Sequence, residues 1–455
     1  MDFFVNTGYF ILAIFPLVLI HEFGHFIAAK LTGTRADVFS IGMGPRLFGW
    51  NAITGFTFGK LPESWDGNGY TDYRLAAFPI GGYVRILGMV DESFETGFAE
   101  KPVESWEFRA KNTWQKLFMI TAGVIMNILL AFSILVGINV VEGKTVLATR
   151  TIAYVATDSP AATMGFQAGD VVKKVNNTEV GSYDDVLRLL YVDNLGRTSS
   201  VLVQRGPTDL VVTVPSAAIA NSLEMKKPLG LYPDGSRTLI LSVDGSRPAA
   251  AAGIAVGDTV LSIEGEQIFS PDQFQQYVQS HKMQPLVFEV RRSSGVVSLR
   301  CTPDSTGRIG VGIQNVVTGK QETTSYSAGE ALEAGFTEMV GYGRAFVNIV
   351  TMIIRGEASA KKSLGGPLAI AKSATQSAQS GWTTFLVFVS TLSITLAILN
   401  ILPIPSLDGG HMVFIIIEGI IGREVSIKIK MAFQQIGFIV LLSLMAYVFY
   451  NDLMR

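Results

Sequence analysis

Three residues in the first apolar run have the types and spacing for hydrolytic chemistry: His21, Glu22 and His25, in the pattern His-Glu-x-x-His. On a helix, positions four apart share a face, with Cβ atoms about 5–6 Å apart. Two imidazoles so placed suit one zinc ion. Glu22 lies on the adjacent face, where it can take a proton from a metal-activated water. The same pattern arises by accident on soluble helices, but its setting here argues for a metal. The run Tyr9 to Ala29 is otherwise almost wholly apolar and reaches the ~20 residues that cross a bilayer. Each ionisable group inside such a run costs about 2.5–3.5 kcal/mol on insertion scales, so three together require a partner.

Few residues can complete the ligand set. The histidines are His21, His25, His281 and His411, and the one cysteine is Cys301. A second apolar run, Trp382 to Leu402, leads into Pro403-Ile404-Pro405-Ser406-Leu407-Asp408-Gly409-Gly410. Its two prolines break the helix and free backbone carbonyls, which a membrane tolerates only where they are buried in protein or line a cavity. Asp408 is the natural third ligand, leaving a fourth position open for water as catalytic zinc sites require. A dication, two neutral imidazoles and one carboxylate leave a single positive charge, which ionised Glu22 offsets.

These segments carry a family resemblance. His21-Glu22-x-x-His25, with Asn400-x-x-Pro403-x-Pro405-x-Leu407-Asp408-Gly409, resembles the site-2 protease family of intramembrane zinc metalloproteases. Phe39-Ser40-Ile41-Gly42, Phe78-Pro79-Ile80-Gly81-Gly82-Tyr83-Val84 and Gly366-Pro367-Leu368-Ala369-Ile370-Ala371-Lys372 are similar to that family's segments too, so the resemblance covers nearly the whole chain. It implies Zn2+ as cofactor, Glu22 as catalytic base, and His21, His25 and Asp408 as metal ligands. It also implies a single-pass membrane protein as substrate, such as an anti-sigma factor already trimmed outside by another protease, and thereby control of an envelope stress response. Asn400 binds substrate backbone by resemblance; the residues alone leave oxyanion stabilisation equally open. Pro403, Pro405, Gly82, Tyr83 and Val84 are the further candidate substrate-binding residues.

The composition agrees with a membrane protein. Hydrophobic residues make up 48% and charged residues 16%, against about 25% charged in soluble domains. Mean hydropathy is +0.36. A net charge of −2 argues against nucleic acid as a partner. One cysteine excludes an internal disulfide framework. Asp2, with no basic residue, precedes the first run, so no cleavable signal peptide of the usual form is expected.

The architecture expected is a polytopic α-helical membrane protein with four transmembrane helices, a re-entrant β-sheet and two tandem PDZ (α+β) domains outside the cytoplasm. Residues 1–32 hold the first span. Residues 33–114 form a cytoplasmic or re-entrant region, its ends marked as cytoplasmic by Lys30, Arg35, Arg109, Lys111 and Lys116. Phe56-Thr57-Phe58 and Tyr83 to Leu87 read there as short strands. Residues 115–144 form the second span, whose Thr121, Gly123 and Asn127 give a small, polar face that suits helix packing.

Residues 145–228 and 229–316 form an internal repeat of period 88: Gly165 and Asp170 recur as Gly253 and Asp258. A period this long means two tandem domains, not a solenoid. Their Pro-Ala…Gly-x-x-x-Gly-Asp pattern is similar to PDZ domains of the bacterial circular permutation, which take peptides by strand addition. An interfacial amphipathic helix over 325–358 follows, with polar positions every three or four residues from Glu330 to Arg355. A Gly/Ser/Ala-rich loop occupies 359–381, the third span 382–422 and the fourth 428–455. The orientation places both ends of the chain and the paired domains in the periplasm of a bacterial cell, with the protein in the inner membrane and the active site near its cytoplasmic side. Two other functions compete on sequence grounds: a membrane PDZ scaffold with a structural metal site, which needs His411 as a fourth ligand, and a metal-ion transporter, which needs a polar path through the outer halves of the spans.

Overall fold

A computed structural model of the chain describes residues 2–62, 65, 67–89, 102–224, 229–318, 321–359, 361 and 365–454. The expected boundary at residue 228 and part of the 359–381 segment lie outside the described residues. The chain divides into two units. The first comprises Met1–Val141, Tyr326–Phe346 and Leu364–Arg455, and the second Glu142–Ser325 and Val347–Ser363.

In the first unit the apolar runs fold as helices: α1 (Asp2–Leu31), α2 (Thr113–Glu142), α5 (Trp382–Ile401) and α7 (Ile427–Leu453), with α4 (Pro367–Gln379) and α6 (Asp408–Ile421) between them and α3 (Ala328–Ile354), whose residues to Phe346 belong to this unit and the rest to the second. The first four are long and apolar enough to cross a membrane. Such helices pack through small residues that let backbones approach. A side chain at Gly24 of α1 would stand 2.4 Å from the carbonyl oxygen of Ala122 on α2, so the two helices touch backbone to backbone there. Ala13 and Leu17 of α1 meet Ala374 of α4 and Phe385 and Val389 of α5 in a buried cluster.

Two expectations are corrected here. Residues 359–381 are not a loop throughout, because α4 is a helix. Its Ala and Ser content is good helix material behind a proline in the first turn. The buried face is the small-residue stripe Ala371, Ala374 and Thr375, which reads as polar linker in sequence. The α4 amino terminus is capped from far along the chain: the Gly366 and Ala369 N–H groups donate to the Asp452 carboxylate at 3.1 and 3.0 Å. Nor is 382–422 one span: α5 ends at Ile401, the two prolines follow, and α6 begins at Asp408. At 14 residues α6 is about 21 Å long, short of the roughly 30 Å hydrocarbon layer.

Between α1 and α2 lies a three-stranded sheet in the order β2 (Gly55–Phe58), β1 (Ala36–Asn51), β3 (Asp72–Ile86). β1 is longer than any strand the sequence announced, and it pairs with β3 twice, Val38 to Ile41 opposing both Arg85 to Gly82 and Asp72 to Leu75. Arg46 and Asp72 fix the sheet. Their side chains are 2% and 0% exposed, and every guanidinium N–H is used: on both Asp72 oxygens, the Thr57 and Gly59 carbonyls and the Thr57 hydroxyl. A charge buried this deeply is tolerated because its hydrogen bonds are complete.

In the second unit the repeat is plain. Ile152–Val155 pairs with Leu231–Pro233, and Val171–Val175 with Ser199–Arg205, which pairs with Thr208–Val214. The second copy repeats this with Ser236–Val243 on Val311–Val317 and on Thr259–Ile263, then Leu286–Arg292 and Gly295–Cys301. Each copy carries one buried ion pair at the same place. Arg205 binds Asp170 at 2.7 Å and the Gly165 carbonyl at 2.8 Å; Arg292 binds Asp258 and the Gly253 carbonyl, both at 2.6 Å. Leu231–Pro233, just beyond the expected boundary, pairs with Ile152–Val155 of the first copy. A short strand between two turns carries too little pattern to say which side it joins. In the first copy the Tyr183 hydroxyl donates to the Leu231 carbonyl at 2.8 Å.

Candidate metal centre

The site grows from four segments of the first unit. α1 places His21 and His25 one turn apart, both 8% exposed. Asp408 arrives from the break between α5 and α6, where the chain doubles back tightly. Side chains at Gly409 or Gly410 would run into the backbone of Ile401 to Pro405, so only glycine fits. The turn brings a carboxylate oxygen 3.2 Å from His21 Nε2 and 3.5 Å from His25 Nε2, with the two Nε2 atoms 3.1 Å apart. Among the described residues this trio is the one group of three or more His, Cys, Asp or Glu side chains whose ligand atoms converge, all within 4.8 Å of one another. Three nitrogen and oxygen donors aimed at a common point match the protein share of a catalytic zinc site.

The second side of the site is α2, through a stripe with a four-residue period. The Met119 carbonyl accepts from His25 Nδ1 at 2.8 Å. A carbonyl can only accept, so Nδ1 carries the proton and Nε2 is left with its lone pair. Gly123 makes room for both rings, since a methyl there would stand 2.5 Å from His25 Nε2 and 2.7 Å from His21 Cε1. Asn127, fully buried, sets its amide 3.3 Å from His21 Nδ1. From sequence this face reads mainly as helix packing, with substrate contact by Asn127 as the lesser alternative. The signal that could have corrected it is the spacing of Gly123 and Asn127, which matches that of His21 and His25.

The third side is the sheet. Glu22 lines a small cleft with Phe15, Val18, Ser40, Gly81 and Gly82. A side chain at Gly82 would stand 2.8 Å from the Ser40 carbonyl and 3.4 Å from Glu22 Cγ. β3 therefore passes the carboxylate as bare backbone. A larger cavity, lined by Lys116, Ser406, His411, Phe414, Glu418 and Gln434 among others, contains none of His21, Glu22, His25 or Asp408. Of the two, the smaller cleft is the one that holds the Glu22 carboxylate.

The remaining sequence candidates divide. Asn400 is buried in the last turn of α5. Pro403 is exposed, while Pro405 packs its ring against Gly437 of α7. Val84 points into the cluster of Phe26, Phe39, Ile86 and Met119, so only its backbone is available to a ligand. Tyr83 lies under the Arg74 guanidinium, 5.2 Å from ring centroid to Cζ. His411 pairs with Gln434 at 2.8 Å and is absent from the convergent trio, which leaves the closed four-ligand site without its fourth member.

Comparison with known proteins agrees with this geometry. The family model for peptidase family M50 matches residues 9–444. A Pasteurella multocida protein provisionally named a zinc metalloprotease is 30% identical over the whole of both chains. Regulator of sigma-E protease RseP of Salmonella typhimurium is 29% identical across 99% of this chain and 98% of its own, and the regulator of sigma E protease of Salmonella typhi matches to the same extent. The chain is a zinc metalloendopeptidase of the site-2 protease type and belongs to peptidase family M50.

Proposed function

We propose that the protein hydrolyses a peptide bond within the transmembrane segment of a single-pass membrane protein. The observation that carries this is a trio of convergent metal donors with a carboxylate beside it, built on helices long and apolar enough to cross a bilayer. His21, His25 and Asp408 hold the zinc. When bound, zinc supplies Lewis acidity, polarising the scissile carbonyl and lowering the pKa of water. Glu22 accepts the proton of the attacking water and returns it to the leaving amine. Asn400 and the exposed Pro403 contact substrate, and Pro405 anchors their turn. The edge strand Gly82 to Ile86 receives the unwound substrate as an added strand, with Gly82 and Tyr83 offering backbone nearest Glu22. A substrate helix hides its amides, so it must unwind first; pairing with an edge satisfies the groups that unwinding exposes.

The two repeats act as PDZ-type modules on the periplasmic side of a bacterial inner membrane, mainly as a filter against proteins with bulky outer domains. The protein's substrate is an anti-sigma factor and its setting an envelope stress response, a reading in keeping with relatives named as regulators of sigma E.

The test is incubation of detergent-purified protein with a model substrate of one transmembrane segment. Cleavage inside the segment, abolished by a zinc chelator and restored by zinc, is the expected result. A zinc-loaded protein that cuts only soluble peptides would overturn the proposal.

A further inference from the structure

The two histidines differ in how their outer ring nitrogens are held. His25 Nδ1 meets a carbonyl, which fixes its tautomer. His21 Nδ1 meets the Asn127 amide, which can present either of two ends, a donor NH2 or an acceptor oxygen. The choice decides the chemistry. An NH2 group facing Nδ1 donates into its lone pair and forces the proton onto Nε2. That nitrogen faces Asp408 and His25, where a ligand lone pair is needed. The oxygen facing Nδ1 accepts the Nδ1 proton and leaves Nε2 free.

A second observation points the same way. With NH2 toward the ring, Asn127 Oδ1 is buried without a hydrogen-bond partner, which costs about 1–3 kcal/mol. Rotating the amide by half a turn gives that oxygen the Nδ1 proton as its partner and places the NH2 group where the oxygen was. The backbone of Asn127 is held independently, because its carbonyl accepts from the Ser393 hydroxyl of α5 at 2.8 Å. The amide can therefore turn without moving α2.

We infer that Asn127 is a positioning residue for the metal centre: its side-chain oxygen accepts the Nδ1 proton of His21 and so holds Nε2 in the metal-binding tautomer. α2 then serves both histidines by one device two turns apart, the Met119 carbonyl for His25 and the Asn127 amide for His21. The inference rests on His21 and His25 being metal ligands.

The experiment measures zinc affinity by chelator competition on purified full-length protein, with a thermal melt of each variant as control. Asn127→Leu keeps the volume and removes the acceptor. It should weaken zinc binding by about 10–100-fold, the usual cost of losing an outer partner of a metal-bound histidine. Asn127→Asp restores an acceptor and should recover most of that loss. With cobalt in place of zinc, the ligand-field spectrum should shift in the Leu variant and return in the Asp variant. Wild-type zinc affinity in Asn127→Leu would overturn the inference, and so would equal loss in the Leu and Asp variants, which is the signature of packing alone. Should Asn127→Leu fail to fold, the Asp variant decides: affinity within threefold of wild type supports the acceptor, and a loss of tenfold or more refutes it. His21→Ala separates the premise, because undiminished zinc affinity there would refute the ligand reading itself.

Discussion

The two repeats and the metal centre treat buried charge in opposite ways. In the repeats each buried carboxylate is answered inside its own motif: Asp170 by Arg205 and Asp258 by Arg292, with each arginine also tying down a glycine carbonyl. The same answer is given twice. In the first unit, His21, His25 and Asp408 are drawn together with their donor atoms facing one another, and their mutual contacts do not use those atoms up. Locally complete polar groups hold a fold together; convergent ones await a ligand. Arg46 and Asp72 show that the rule follows completeness and not location, since this pair lies in the first unit yet spends every donor on its own sheet.

The largest expected effect lies at the convergent site. Glu22→Gln should lower peptide-bond cleavage by roughly 100- to 10,000-fold, the range for loss of a general base, while zinc stays bound. Asp408→Asn should instead lower zinc content, measured by metal analysis of the purified protein. Normal turnover in Glu22→Gln would break the comparison at its root. Gly123→Ala probes the same centre from α2: its methyl would meet both imidazoles, so zinc and activity should fall together. A fully active alanine variant would show that the rings do not pack as described.

Next come the complete pairs. Arg46→Ala leaves Asp72 buried without its cation and should destabilise the sheet by about 3–5 kcal/mol, read as a lowered melting temperature. Arg46→Lys should rescue little, because one ammonium cannot replace the five-donor fork. Arg292→Ala should destabilise the second repeat while zinc content stays unchanged. Loss of zinc in that variant would blur the line drawn between the two kinds of site.

Acid should act on the repeats in the same sense. Burial pushes the Asp258 carboxyl up, but Arg292 and the Ala255 N–H outweigh it and hold it below 3.8. The Thr306 hydroxyl, with backbone N–H groups and Arg247, brings Asp304 down to about 2. A depressed carboxylate pKa gives stability that is complete above the unfolded value and lost as pH falls through the folded one. The second repeat should therefore weaken between about pH 4 and pH 2, visible as acid-induced loss of strand circular dichroism in the full chain. Flat stability over that window would deny both contacts. The smallest effect is a reporter for the same unit. Burial pushes the Cys301 thiol up to about 11, so a maleimide at neutral pH should label it only as the second repeat opens. Rapid labelling of the folded protein would contradict its burial.

How legible each feature is follows the same division. His21, Glu22, His25 and Asp408 stand out because ionisable residues inside apolar runs need a reason, and the spans and the repeat follow from run length and period. The Arg46–Asp72 lock was not legible. Arg46 finds its partners on two other strands and at Gly59 just past one of them, and no spacing along β1 announces a pairing that distant. α4 was misread because its buried face is made of alanine and threonine, which look like linker until another helix lies on them. Asn127 reads from sequence as a packing residue first and a substrate contact second; the ring nitrogen it meets is a fact of the fold.

The cap on α4 has a consequence for how the molecule is made. Gly366 waits for Asp452, a residue 86 positions later. At roughly 5–20 residues per second of synthesis, that delay is about 4–17 s. Throughout it the first turn of α4 carries bare amides, while α1, its packing partner, has long been finished. The seat of α4 beside α1 and α5 is thus fastened from α7, and this fastening can form only after Asp452 has been made.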